Sequence, residues 1–223
     1  GVKSATFSPD GRRIITASDD GTARMWDAND GRMIAELKGH SDDVRGATYS
    51  PDGRRIVTAS WDNTARVWEA DSGRLVAELK GHGDHVHVAT YSPDSRSVVT
   101  ASEDSTARIW DADSGRLVTE LKGYGGPVYS ATYSPDGRRI VTVHADSTAR
   151  VWDADSGRLV AELTGHGGHV NSATYSPDSR CIVTASQDNT ARVWKADSGH
   201  LVAELKEHGD LVYRATYSPD GRR

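Results

Sequence analysis

A single cysteine, Cys181, is all the thiol chemistry that this 223-residue chain carries. It cannot close an internal disulfide, so a reducing compartment, the cytoplasm, is the expected location. Positive charge is not in excess either: 27 Lys and Arg stand against 32 Asp and Glu, a net charge of −5. A nucleic-acid-binding surface normally reads as a basic patch, so no nucleic-acid partner is expected. No run of 18 apolar residues occurs, which leaves no candidate for a membrane-spanning helix and no expected membrane partner. The opening residues, Gly1-Val2-Lys3-Ser4-Ala5, lack the apolar core of a secretory signal. Two catalytic signatures are missing as well: no Gly-x-Ser-x-Gly nucleophile turn and no phosphate-binding GxxxxGK[ST] loop.

What is present is repetition. Thr64-Ala65-Arg66-Val67-Trp68 recurs as Thr22 to Trp26, Thr106 to Trp110, Thr148 to Trp152 and Thr190 to Trp194, each tryptophan 42 residues after the last. A fixed period of this size marks a repeat architecture, and residues shared by all copies serve the repeat before they serve any function. The repeats divide the chain at about 1–38, 39–80, 81–122, 123–164 and 165–206, with a partial copy at 207–223 in what reads as one domain. Cys181 falls where other copies have Arg13, Arg55, Ser97 and Arg139, and so reads as a replaced surface residue, not a nucleophile.

Within the second copy, 44–50, 55–60, 64–69 and 74–80 read as strands. Between the first two, Ser50-Pro51-Asp52-Gly53 makes a tight turn, with Pro presetting φ and Gly taking the positive one. Asp62-Asn63 and Ala70-Asp71-Ser72-Gly73 are the other turns, and nothing in the period reads as a helix. A four-stranded meander apolar on both faces (Ile56, Val57, Val67, Trp68, Leu75, Val76, Leu79) cannot stand alone. Radial packing of sheet on sheet, a β-propeller, buries both faces.

Gly39-His40, Ser50-Pro51-Asp52-Gly53, Ser60-Trp61-Asp62 and Trp68-Glu69 resemble the marks of the WD40 repeat family, and the resemblance covers the whole chain. The fold it implies is an all-β propeller with five complete four-stranded blades plus one first strand of a sixth. The near identity of the copies resembles arrays in prokaryotic multidomain proteins. The resemblance also implies a structural tetrad in each blade: the Gly-His histidine, the Ser and Asp of Ser-x-Asp, and the Trp. Carried over, these are His40, Ser60, Asp62 and Trp68; His82, Ser102, Asp104 and Trp110; and His166, Ser186, Asp188 and Trp194. The first blade keeps Ser18, Asp20 and Trp26 without a histidine. In the fourth, Tyr124 replaces histidine and His144 replaces serine beside Asp146 and Trp152. Those two changes read as one exchange, with His144 expected to donate to Asp146 and Tyr124 to pack or hydrogen-bond from the other side. Gly126-Pro127 stiffens the loop nearby.

Ser, His and Asp recurring once per blade beside a Trp are framework, so no enzyme activity and no cofactor are expected. His82-x-x-His85-x-His87 and His166-x-x-His169 suggest a metal site at first sight. His82 and His166 are committed to tetrads, however, and no anchored third ligand completes a zinc set. Arg24, Arg66, Arg108, Arg150 and Arg192 repeat strictly and read as framework, salt-bridged or stacked between blades.

Three columns differ between copies where the framework does not. Asp19, Trp61, Glu103, Ala145 and Gln187 precede the tetrad Asp. Asp43, His85, Pro127, His169 and Leu211 precede the first strand's Val. Lys3, Arg45, His87, Tyr129, Asn171 and Tyr213 follow that Val. The resemblance places these columns on the top rim, where protein partners dock. An exposed Trp61 flanked by Arg45, Tyr129 and His87 has the composition of an interaction hot spot. The expected function is therefore a non-enzymatic scaffold that presents its rim to a protein or peptide. The alternatives are an array, truncated or engineered, whose main property is ring closure or self-assembly, and a rim that binds a glycan or small ligand. Self-association has a sequence basis too, because 212–217 repeats the pattern of 2–7. That strand is expected to complete the first blade of its own chain or of a neighbour.

Overall fold

A computed structural model of the chain describes residues 1–123, 126–218 and 220–221. Its regular structure is β throughout, in five four-stranded antiparallel sheets, each with its strands hydrogen-bonded in chain order. The first sheet, or blade, is β1 (Val2–Phe7), β2 (Arg13–Ser18), β3 (Ala23–Asp27) and β4 (Met33–Leu37). The second is β5 (Val44–Tyr49), β6 (Arg55–Ser60), β7 (Thr64–Glu69) and β8 (Leu75–Lys80). The third is β9 (Val86–Tyr91), β10 (Ser97–Ser102), β11 (Thr106–Asp111) and β12 (Leu117–Lys122). The fourth is β13 (Val128–Tyr133), β14 (Arg139–His144), β15 (Ala149–Asp153) and β16 (Leu159–Leu163). The fifth is β17 (Val170–Tyr175), β18 (Cys181–Ser186), β19 (Ala191–Lys195) and β20 (Leu201–Leu205).

The turns fall where their residue chemistry requires. Gly53 takes φ +72° in the Ser-Pro-Asp-Gly turn, where an added side chain would be strained. The Ser50 hydroxyl donates to Asp52 at 2.6 Å and accepts from the Arg55 amide at 2.9 Å, which locks that turn. Asn63 (φ 68°) performs the same left-handed service between β6 and β7.

Sheets pack face to face in chain order, with the first strands β1, β5, β9, β13 and β17 side by side. Each junction buries one apolar cluster drawn from two blades. The second and third blades, for example, join Val57, Val67 and Leu79 to Val86, Tyr91 and Trp110. The other three junctions reuse the same positions. At roughly 25 cal/mol per Å² of buried apolar surface, these seams are what hold two-faced sheets together.

Both ends of the stack depart from this. Phe7 is 61% exposed, whereas its counterparts Tyr49, Tyr91 and Tyr175 are buried. Leu205 is 49% exposed against full burial of Leu37, Leu79, Leu121 and Leu163. The C-terminal segment 211–218 corrects an expectation. It is not a strand and does not pair with β2, because β1 already holds that place through Val2↔Ser18 to Phe7↔Ile14. Instead it lies against the fifth blade: the Val212 amide donates to Ser186 O at 3.1 Å, and Asn171 Nδ2 donates to Val212 O at 2.9 Å. It thus occupies the first-strand place of a sixth blade without a ladder partner there.

Candidate functional site

Beneath the variable columns, hydrogen-bond relays tie the loops of each blade to its strands. In the second blade, Trp68 Nε1 donates to Thr58 Oγ1 at 2.9 Å, and the Thr58 hydroxyl faces His40 Nε2 at 2.7 Å. His40 Nδ1 in turn donates to Asp62 Oδ2 at 2.8 Å. The third and fifth blades repeat the chain through Trp110–Thr100–His82–Asp104 and Trp194–Thr184–His166–Asp188. Burial alone would raise the pKa of Asp62, but hydrogen bonds from His40 and Thr64 outweigh it and hold the carboxyl far below its usual range. Each carboxylate is therefore a fixed anchor for the Gly-His loop.

The hydroxyl in this relay corrects the sequence expectation. Thr58, Thr100 and Thr184 carry it, not Ser60, Ser102 and Ser186. Ser60 instead accepts from the Asp62 amide at 3.1 Å and donates to Asp42 O at 3.1 Å. Ser102 and Ser186 tie their loops in the same way, to Asp84 O and Gly168 O. The arginine column is also corrected: it is salt-bridged within each blade, not between blades. Arg66 meets Glu78 at 2.9 Å across β7 and β8, and Arg24, Arg108, Arg150 and Arg192 do likewise with Glu36, Glu120, Glu162 and Glu204.

The first and fourth blades satisfy their carboxylates by another route. Without a histidine, Asp20 pairs with Arg24 at 2.9 Å while Trp26 still donates to Thr16. Its pKa drops to about 2, chiefly through the hydrogen bond from Thr22. In the fourth blade His144 does not reach Asp146, contrary to expectation. Its imidazole enters from the end of β14 and takes the Gly-His histidine's place beside Thr142 Oγ1, at 2.7 Å from Nε2. Trp152 completes that relay to Thr142, and Asp146 pairs with Arg150 at 2.7 Å. His144 Nδ1 is buried without a hydrogen-bond partner among the described residues. Burial, with the Arg150 charge nearby, pushes its pKa down to about 4, so it is neutral near pH 7. Tyr124, the other half of the expected exchange, lies outside the described residues.

Above the relays the three variable columns become one surface. In every blade the amide of the residue before the tetrad Asp donates to the carbonyl of the residue before the first strand. The pairs are Asp19–Gly1, Trp61–Asp43, Glu103–His85, Ala145–Pro127 and Gln187–His169. The third column sits at a β-bulge in each first strand, where the register skips Lys3, Arg45, His87, Tyr129 and Asn171. A bulge re-aims the extra side chain, here beside the other two columns.

Seven side chains from blades two to five then form a continuous band. Arg45 Cζ lies 4.4 Å from the Trp61 ring centre. Trp61 stacks on His85 at 5.0 Å, and His85 Nδ1 donates to Trp61 O at 2.7 Å. His87 meets Trp61 edge-on at 6.4 Å and Tyr129 at 5.4 Å, and Tyr129 meets His169 at 5.0 Å. His87 Nε2 donates to Glu103 at 2.9 Å; burial still lowers its pKa, against the pull of Glu103. Trp61 is thus half-buried among its neighbours and not an exposed side chain, and Tyr129 reaches it only through His87. The remaining rim residues lie outside the band. Lys3 pairs with Asp19 at 3.2 Å, Gln187 meets Asn171, and Asp43 stands 3.9 Å from Arg45. Ala145 and Pro127 are joined only by their backbones, and Leu211 and Tyr213 are exposed on the C-terminal segment.

The comparisons with known proteins agree with this geometry. The WD domain, G-beta repeat family (WD40) matches residues 1–27, 31–69, 73–111, 115–153 and 157–195. The chain is 48% identical over 44 residues to human WD repeat-containing protein 86, which is 20% of this chain. It is 47% identical over 38 residues to mouse WD repeat-containing protein 38, or 17% of this chain. Each match spans about 12% of the relative's length. Five family matches, each ending on the tryptophan strand of one blade and, after the first, taking in the last strand of the blade before it, place this chain in the WD40 repeat family.

Proposed function

We propose that this chain is a non-enzymatic scaffold that binds a protein or peptide on the rim band running from Arg45 to His169. WD40 repeats generally mediate protein–protein interaction as scaffolds. The observation that carries the rim assignment is the convergence of the variable columns. Where the framework repeats to the residue, the rim changes, and its changed side chains meet in one stacked band held on rigid loops. A Trp and an Arg at the centre of such a patch are the side chains most often found as energetic anchors of interfaces. Selection of peptides from a displayed library against the immobilised full chain, alongside a glycan array, tests this. Peptide ligands that compete for one site support it. Glycan ligands with no peptide ligand contradict it.

A second reading, self-association, is favoured by the matched end faces. Val193, Ala203 and Leu205 on the fifth blade, and Phe7, Ile14 and Trp26 on the first, occupy the positions that form the buried junctions elsewhere. The fifth blade of one copy would fit the first blade of another in the geometry that joins consecutive blades once the incoming β1 displaced segment 211–218 from the first-strand place it holds.

A further inference from the structure

The face opposite the rim carries the turns after each first and third strand, and at one junction it breaks the repeat. The residue following each blade's tryptophan is Asp27, Glu69, Asp111 and Asp153, and then Lys195. Those acids cap their own turns: Asp111 accepts from the Ser114 amide and hydroxyl, and Asp153 from those of Ser156. Lys195 cannot do so; its side chain is exposed and has no acidic partner among the described residues. Five residues on, His200 replaces the arginine found at Arg32, Arg74, Arg116 and Arg158.

The neighbouring blade also departs. At two junctions an arginine reaches across to the next blade's turn, Arg13 to Asp71 at 2.9 Å and Arg55 to Asp113 at 3.2 Å. At the fourth junction Arg139 is drawn onto Asp153 of its own blade, and Asp197, the acid it would have reached, has no ion pair among the described residues. The junction therefore stays open as a groove of about 620 Å³ between blades four and five. Arg138 and Arg139 line one wall, and Arg180, Lys195 and His200 the other. Against them stand Asp136 and Asp197. In a chain of net charge −5, this is a local concentration of the opposite sign.

We propose that this groove binds a phosphate monoester. Guanidinium forks match phosphate oxygens in pairs, and a lysine ammonium adds a point charge. Arg138, Arg180 and Lys195 are free to turn toward such a ligand, since no ion pair among the described residues holds them. The site is independent of the rim, so partner binding above and phosphate binding below are separable.

The test is titration of the full chain, at low ionic strength, with glycerol 3-phosphate and with a phosphoserine peptide and its unphosphorylated twin. Binding of the phosphopeptide but not its twin identifies a modified protein as the source of the phosphate. Binding of glycerol 3-phosphate alone identifies a small phosphate monoester. Lys195→Asp restores the acid that the other four blades carry, so the fold should be kept, and an unchanged Tm checks this. Its affinity should fall by about tenfold or more, as expected when a charge in contact with a dianion is reversed. Lys122→Asp makes the same change of net charge on the opposite face and should have a far smaller effect. Equal losses in both variants, or no binding of any phosphate probe by the unaltered chain, would overturn the proposal.

Discussion

Thr58 and Ser60 stand two apart on β6, so both hydroxyls point to one side of the strand and residue type alone does not tell them apart. Register decides: Thr58 lies opposite Arg66, within reach of both the Trp68 indole and the His40 ring, while Ser60 lies at the strand end beside the loop. The histidine, aspartate and tryptophan were legible through the family resemblance, whose Gly-His, Ser-x-Asp and Trp marks recur at fixed spacing; which of the nearby hydroxyls joins them was not. Thr58→Val should accordingly cost about 1–3 kcal/mol in denaturant unfolding, since it strands a buried indole N–H and an imidazole nitrogen. Ser60→Ala should cost less, near 1 kcal/mol, because its bonds lie at the wetter loop. His144 makes a second prediction at this scale. Its folded pKa, about 4, lies below the ordinary value of 6.5, so the unfolded chain takes up the proton first as pH falls. The stabilising effect of the neutral ring is fully present above pH 6.5 and is lost between there and about 4, up to roughly 3 kcal/mol. In urea titrations across that range, His144→Ser should flatten the acid-side fall in stability relative to the unaltered chain.

Strands and turns were readable almost to the residue. Alternation over four to seven positions and Pro-Asp-Gly chemistry leave few other local solutions, and 55–60 and 64–69 appear unaltered as β6 and β7. The bulges were not readable. An extra residue in a strand changes no residue type, and Lys3, Arg45, His87, Tyr129 and Asn171 share no chemistry that marks one. Yet the bulges turn three sequence columns into one surface. Packing between blades was implied by the two apolar faces, and it lets the same residue be weighed in two settings. Leu79→Ala removes a fully buried side chain from a junction and should cost about 2–5 kcal/mol. Leu205→Ala, at the same repeat position but half exposed, should cost less than about 1 kcal/mol in the monomer. Equal losses in thermal unfolding would mean that the fifth blade's face is covered in solution.

At the scale of the molecule, that comparison bears on assembly. If a second copy supplies the cover, light scattering should give a mass above 24.1 kDa that rises with concentration, and Phe7→Asp should return the chain to a monomer. A monomer at all concentrations would remove the second reading and leave the first untouched. The central claim is the rim band, where the framework stops repeating and the side chains of four blades meet. It is tested most directly by measuring the affinity of a selected peptide ligand for the unaltered chain and for Trp61→Ala. That substitution leaves every tetrad group in place while removing the ring on which Arg45, His85 and His87 pack. The rim account expects affinity to fall by about 2 kcal/mol or more, near thirtyfold, with Tm little changed. Unchanged affinity in a folded Trp61→Ala chain would place the binding surface elsewhere on the propeller and contradict it.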